Sequence, residues 1–98
     1  MEFNAYLLAD LRIAMLRLLN EMPERRLNSS SLRSALKGWA HDLTRQQVKT
    51  ELRWLEDRGL VVVESIADGS VLIASLTERG IEVAAGRIVE PGVKRARD

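Results

Sequence analysis

The apolar positions of this chain recur at helical spacing as far as Leu55 and at every second position beyond Leu60. That pattern predicts helices first and a β-hairpin after them. Leu8, Leu11, Met15, Leu18, Leu19 and Met22 fall on one side of a first helix expected from about Asn4 to Met22, where Pro23 stops it. A second stripe, Tyr6, Ala9, Ile13 and Leu16, lies well around the same helix. One stripe is enough to join a core, and a second predicts burial against something further. Two partners fit: a second copy of the chain, with Tyr6, Ile13 and Leu16 as dimer contacts, or the C-terminal helix of the same chain.

Pro23 to Leu27 reads as a short basic turn, and Asn28 as the N-cap of a second helix from Ser29 to about Gly38. Leu32, Ala35, Leu36 and Trp39 mark its expected buried face. The third helix carries the best local signals. Thr44 and Gln47 form a T-x-x-Q capping box, with Leu43 and Val48 at the hydrophobic-staple positions. Gly59 stands where a left-handed residue closes a helix, with Leu60 placed to fold back on Leu55. Val48, Leu52 and Leu55 form the inner stripe. Gln46, Lys49, Thr50, Arg53 and Asp57 lie opposite, with Arg45 and Gln47 near the N-terminal end.

Asp68-Gly69 between two β-branched runs is a hairpin signal. A turn centred there puts Val61, Val63, Leu72, Ala74 and Leu76 on the face toward the helices. Val62, Ile66, Val71 and Ile73, with Glu64 and Ser75, fall on the outer face, which is unusually apolar for solvent. A slip of one residue would exchange the two faces. Thr77 opens a short last helix, weakened by Gly80, which marks close packing. From Arg87 on, Pro91, Gly92, Lys94, Arg95 and Arg97 read as an exposed basic tail. The expected organisation is one domain over residues 1–86 and a flexible basic tail over 87–98.

Composition narrows the function classes. The chain is 46% hydrophobic and 30% charged, enough for one core and a solvated surface. Without cysteine there are no disulfides and no thiolate chemistry, which suits a reducing cytoplasm. Glu2, Asp10 and Arg12 interrupt the N-terminal apolar stretch, so neither a signal peptide nor a membrane span is expected there. His41 has no second histidine or cysteine at ligand spacing, so no metal and no cofactor are expected. No phosphate-binding glycine loop or nucleophile–base arrangement stands out, which argues against an enzyme.

The order helix, helix, helix, hairpin is that of a winged helix-turn-helix. The expected fold class is α+β, mainly α: a three-helix core, a two-stranded β-wing and a short C-terminal helix. Such a layout points to double-stranded DNA, whose major groove admits one helix. Gln46, Lys49, Thr50 and Arg53 project from one face of the third helix with side chains that read base edges. Arg45, Ser29 and Ser30 suit phosphates. Against this, residues 60–76 contain no lysine or arginine, and the wing tip carries Asp68, which repels a phosphate backbone. The alternative is a protein-interaction or phage assembly module whose partner covers the outer wing face at Val71 and Ile73.

Residues 5–86 resemble the winged-helix superfamily of ArsR-, MarR- and PadR-like regulators. The likeness is carried by the helix end LRWLEDRGLV and by LTERG at the hairpin exit. With the ending LTERGIEVAAGRIVEPGVKRARD, the whole chain is similar to small ArsR-like proteins encoded in Mu-like prophages. The resemblance implies a DNA-binding regulator that dimerises through terminal helices, with Gln46, Lys49, Thr50 and Arg53 at recognition-helix positions. The histidine and cysteine ligands of metal-sensing ArsR proteins are missing, and so are the basic residues of the wing.

Overall fold

The computed structural model describes residues 3–96. Helix α1 (Phe3–Glu21) ends where Pro23 forces Met22 into an extended conformation (ψ 151°). A single 3-10 turn, Pro23–Arg25, then reverses the chain. Glu24 and Arg25 sit there at φ +57° and +54°, and the turn delivers Arg26–Asn28 as a short strand, β1. Helix α2 (Ser29–Gly38) starts on Asn28, whose side chain accepts the Ser31 N–H at 2.8 Å. Helix α3 (Arg45–Asp57), strands β2 (Val61–Ile66) and β3 (Val71–Leu76), and helix α4 (Glu78–Ala84) complete the order.

The sheet has three strands in the order β1-β3-β2, both pairings antiparallel. The expected two-stranded wing is present as β2 and β3, and a third strand joins it on the free side of β3. The stretch read as a basic turn supplies a third strand, with Arg26 opposite Ser75, Leu27 opposite Ala74 and Asn28 opposite Ile73. Three residues beginning with an arginine carry no alternation to read, and their pairing partner lies far along the chain. The hairpin register is the one the Asp-Gly turn implies: Val61 opposite Leu76 and Ile66 opposite Val71. Asp68 and Gly69 both take positive φ, as a type I′ turn requires, and the Ser70 N–H closes the turn on Ala67 O at 3.0 Å.

The core gathers Leu11, Met15, Leu18 and Leu19 of α1 with Leu32 and Leu36 of α2. Val48, Leu52 and Leu55 of α3 and Leu72 and Ala74 of β3 meet them there. Ile13 and Leu16 are buried as well, at 6% and 0% exposure, within this one chain. The second stripe of α1 thus serves the chain's own interior, and neither residue is available as a dimer contact; Tyr6, near the helix start, is exposed. Trp39, expected in the core, is 41% exposed. Helix α2 ends at Gly38, and Trp39 at φ −100°, ψ 21° leaves the helical row that Leu32 and Leu36 follow.

The C-terminal segment departs most from expectation. Residues 88–96 fold back over α1: Val93 is buried, Ile88 and Ala96 pack against the core, and the Lys94 N–H donates to Ala9 O at 3.0 Å. Glu90 is buried and pairs with Arg79 at 2.8 Å. The apolar residues between the basic ones fasten the segment, so it is not an exposed tail. Arg97 lies outside the described residues.

The end of α3 packs closely against α4. Gly59 at φ +75° ends α3 in a Schellman motif, with Gly59 N–H on Glu56 O at 2.9 Å and Leu60 N–H on Leu55 O at 3.0 Å. Gly80 of α4 then lies against that corner, where an added Cβ would stand 2.0 Å from Leu60 O. Gly80→Ala is therefore expected to destabilise the fold by at least about 2 kcal/mol through backbone displacement, read as a lowered urea midpoint.

Candidate nucleic-acid interface

Helix α3 is held at its start, along its back and at its end. At the start, Thr44 Oγ1 accepts the Gln47 N–H at 3.1 Å, and Gln47 Oε1 accepts the Thr44 N–H at 2.8 Å. Arg33 of α2 donates to Leu43 O at 2.7 Å and fixes the approach between the two helices. Along the back, Val48, Leu52 and Leu55 enter the core.

Glu51 also faces inward, and it meets Arg12 of α1 at 2.7 Å, with both side chains about nine-tenths buried (11% and 10% exposed). The Arg12 guanidinium stacks on the Trp54 ring at 3.7 Å and donates to Gly92 O at 3.1 Å. Arg58 lies 4.6 Å from the centre of the same ring. Sequence reasoning passed over this cluster. The available signal was Glu51 itself, a carboxylate on the inner side of an amphipathic helix, since a buried charge requires a partner.

The outer surface of α3 carries the residues expected to meet DNA, and the structure divides them. Gln46 donates to Thr50 Oγ1 at 3.3 Å, so these two side chains engage each other. Arg53 is paired with Glu56 at 2.9 Å, which offsets its charge. Arg45 and Lys49, one turn apart, face the first residues of α2 and the wing. There they line a shallow cup together with Ser29, Ser30 and Ser70. Neither has a carboxylate within ion-pair distance among the described residues. Lys49 Nζ instead donates to Gly69 O at the wing tip, at 3.1 Å. Ser29 is buried, and its hydroxyl oxygen accepts the Leu72 N–H at 3.0 Å, tying α2 to β3. Ser30 is exposed.

The other candidate surfaces are apolar. On the outer sheet face Val62 is 60% and Ile66 40% exposed, whereas Val71 and Ile73 are half-buried. Strand β1 adds Arg26 to this face, 3.8 Å from Glu64. At the start of α1, Tyr6, Leu7 and Leu8 are exposed beside a groove that runs to Leu43 and Gln47. His41 is 3.4 Å from Asp10, and no group of three potential metal ligands occurs among the described residues. No helix among those residues is long and apolar enough to cross a membrane.

A mainly helical chain with a small three-stranded antiparallel sheet is the winged helix of MarR-type regulators. One solved structure, a MarR family transcriptional regulator from Streptomyces coelicolor in complex with DNA, superposes with a TM-score of 0.62 at 30% identity. A second, AbsC from the same organism, also a MarR family regulator, gives a TM-score of 0.62 at 25% identity. The matches cover 74% and 76% of this chain, and the chain spans less than half the length of either regulator (43% and 47%). The structural likeness is to MarR regulators and lends the ArsR label no support. No family model matches the chain. The uncharacterized protein gp26 of Escherichia phage Mu is 35% identical over 94 residues, covering 96% of this chain and 95% of gp26. An uncharacterized protein of Haemophilus influenzae is 37% identical over 79 residues, covering 81% of this chain and 76% of its own length. The chain belongs to the family of these two proteins.

Removing one member of the Arg12–Glu51 pair leaves a charge in a nearly dry site. Arg12→Met is expected to cost about 3 kcal/mol in urea unfolding, whereas joining it to Glu51→Leu recovers most of that loss.

Proposed function

We propose that the protein is a DNA-binding transcriptional regulator of phage or prophage type, working in the cytoplasm of its host, with α3 entering the major groove. The observation that carries this reading is the outer surface of α3. A helix capped at both ends and anchored along its back presents Arg45 and Lys49 without carboxylate partners among the described residues. The MarR fold supports the reading, since one of the matching regulators was solved with DNA. Gln46, Thr50 and Arg53 lie along the same helix, where they meet base edges once their contacts with one another and with Glu56 are exchanged. Ser29 and Ser30 stand where a phosphate passes.

The proposed working unit is a homodimer whose two α3 helices meet successive major grooves, about one helical turn apart. With Ile13 and Leu16 inside the fold, the contact falls to Tyr6, Leu7 and Leu8 at the start of α1. Tyr6→Asp combined with Leu7→Asp is expected to halve the mass seen by light scattering and leave the circular dichroism spectrum unchanged. A parent protein that is monomeric at every concentration would sink the dimer.

One observation favours a second reading. Val62 and Ile66 leave the outer sheet face open and apolar, as a protein-interaction or phage assembly module without DNA binding would have it. Fluorescence anisotropy of a labelled random-sequence duplex across a salt series separates the two. Each phosphate contact contributes about −0.9 to the log–log slope, so Arg45 and Lys49 presented twice give roughly −3 to −4. Absence of binding at low salt would remove the regulator reading and leave the partner module.

A further inference from the structure

The sheet treats its two edges differently. On one side lies β1, three residues long and opening on Arg26, a short charged edge of the kind that resists pairing. On the other lies β2, Val61–Ile66, without lysine, arginine or proline. Each of its residues faces one residue of β3, so no bulge bends it away. Two contacts fix which of its backbone groups face outward. The Thr77 N–H donates to Leu60 O at 3.1 Å, and these two residues continue the β2–β3 register by one step. The Leu72 N–H turns the other way, to Ser29 Oγ at 3.0 Å on the β1 side, and so away from Ser65. Hydrogen-bonded and non-hydrogen-bonded pairs alternate in an antiparallel ladder. Val62, Glu64 and Ile66 therefore face inward to β3, and the N–H and carbonyl groups of Val61, Val63 and Ser65 point to the free edge. None of these outward groups has a hydrogen-bond partner among the described residues.

We infer that this edge pairs with a second copy of the chain, the two β2 strands lying antiparallel about a two-fold axis at Val63. The occupant follows from the spacing. Three outward-facing residues at alternate positions are symmetric about the middle one. Val63 then opposes Val63 of the second copy and Val61 opposes its Ser65, so that every outward donor meets an outward acceptor in about six hydrogen bonds. A shift of two residues leaves some of these groups unpaired, and a shift of one puts the two edges out of phase. Charge fits the same register. Glu64 stands opposite Val62 and not opposite the second Glu64, and in each copy Arg26 lies 3.8 Å from Glu64. A two-fold contact uses the same edge on both copies and leaves only the short β1 edges free, so the pairing closes at two and does not propagate. It goes beyond the regulator reading and needs neither DNA nor the contact at the start of α1.

Two measurements on the full chain, both without DNA, test the pairing. In the first, amide hydrogen exchange is followed by two-dimensional NMR from micromolar to millimolar protein. The Val62 and Glu64 amides exchange slowly throughout, since they bond to β3. Those of Val61, Val63 and Ser65 are expected to slow at least about tenfold as concentration rises. Ser65→Pro removes one outward N–H where no ladder bond is lost, so it should abolish that slowing and keep Val62 and Glu64 slow. Tyr6→Asp with Leu7→Asp should leave the slowing in place. Outward amides that exchange at one rate at every concentration, or a slowing that the α1 variant removes, overturn the pairing. In the second, the lack of cysteine makes the register readable. Val62→Cys and Glu64→Cys proteins are mixed under air oxidation and separated on a non-reducing gel. The mixture should form the band of twice the chain mass several times faster than either protein alone, because Val62 stands opposite Glu64. Equal rates, or no such band, refute the two-fold at Val63. A protein whose edge stays unpaired while it binds duplex with the expected salt slope loses this inference and keeps the regulator reading.

Discussion

The Arg12–Glu51 pair is the contact on which the arrangement of this molecule turns. Its two partners lie 39 residues apart, and around it meet α1, the back of α3 and the C-terminal segment. Trp54 forms a wall of this site, with the Arg12 guanidinium stacked on it. Two charges withdrawn from water gain little net stability from their attraction, and a hydrophobic pair of the same size would serve as well for that purpose. What the pair adds is direction. A bidentate-capable, planar group fits one orientation of carboxylate and ring, whereas leucines on α1 and α3 can slide against one another. The rotation of α3 about its own axis, and with it which side chains face outward, is set by this contact as much as by Val48, Leu52 and Leu55.

Electrostatic bookkeeping on the outer side then decides what is left for a ligand. The chain is nearly neutral, with 15 basic and 14 acidic residues, so a count of charges gives little reason to expect an anionic partner. Pairing sorts them. Arg12, Arg53, Arg79 and Arg87 face glutamates, and Lys94 faces Asp10. Arg45 and Lys49 are among the cations left without a carboxylate partner among the described residues, and these two stand together where α2, α3 and the wing converge. A weakly charged protein thereby concentrates unopposed charge in a small area, where local field matters more than net charge.

How far the sequence could be read follows from how local each signal is. The capping box at Thr44 and Gln47, the glycine end of α3 at Gly59 and the Asp68-Gly69 turn are written within a few residues of where they act, and all three take the geometry their residues imply. Strand β1 is not written locally: Arg26, Leu27 and Asn28 become a strand because β3 offers an open edge. The C-terminal segment resembles a solvated tail because its anchors, Arg12, Trp54 and Ala9, are elsewhere in the chain. For the site, residue types at the α3 positions were legible. Which of those residues are engaged was not, because the Lys49 contact with the wing and the Arg53 pairing with Glu56 depend on side-chain rotamers.

Sharing one first helix between core and contact surface has a consequence for association. The two stripes of α1 are both drawn into the fold, through Leu11, Met15 and Leu19 on one side and Ile13 and Leu16 on the other. Within the described residues the helix keeps only its first turns, at Tyr6, Leu7 and Leu8, for apolar contact with a second copy. An overhang of that extent buries far less than the roughly 800 Å² per partner of a stable interface. In the dimer proposed above, a pair of copies joined there forms at high concentration and separates on dilution. In the proposed regulator, a second copy on a duplex would bind beside one already held, at an effective concentration in the millimolar range, where a weak contact suffices. In the proposed regulator, DNA occupancy would favour this pairing, and spacing between half-sites would be the quantity the small α1 contact selects.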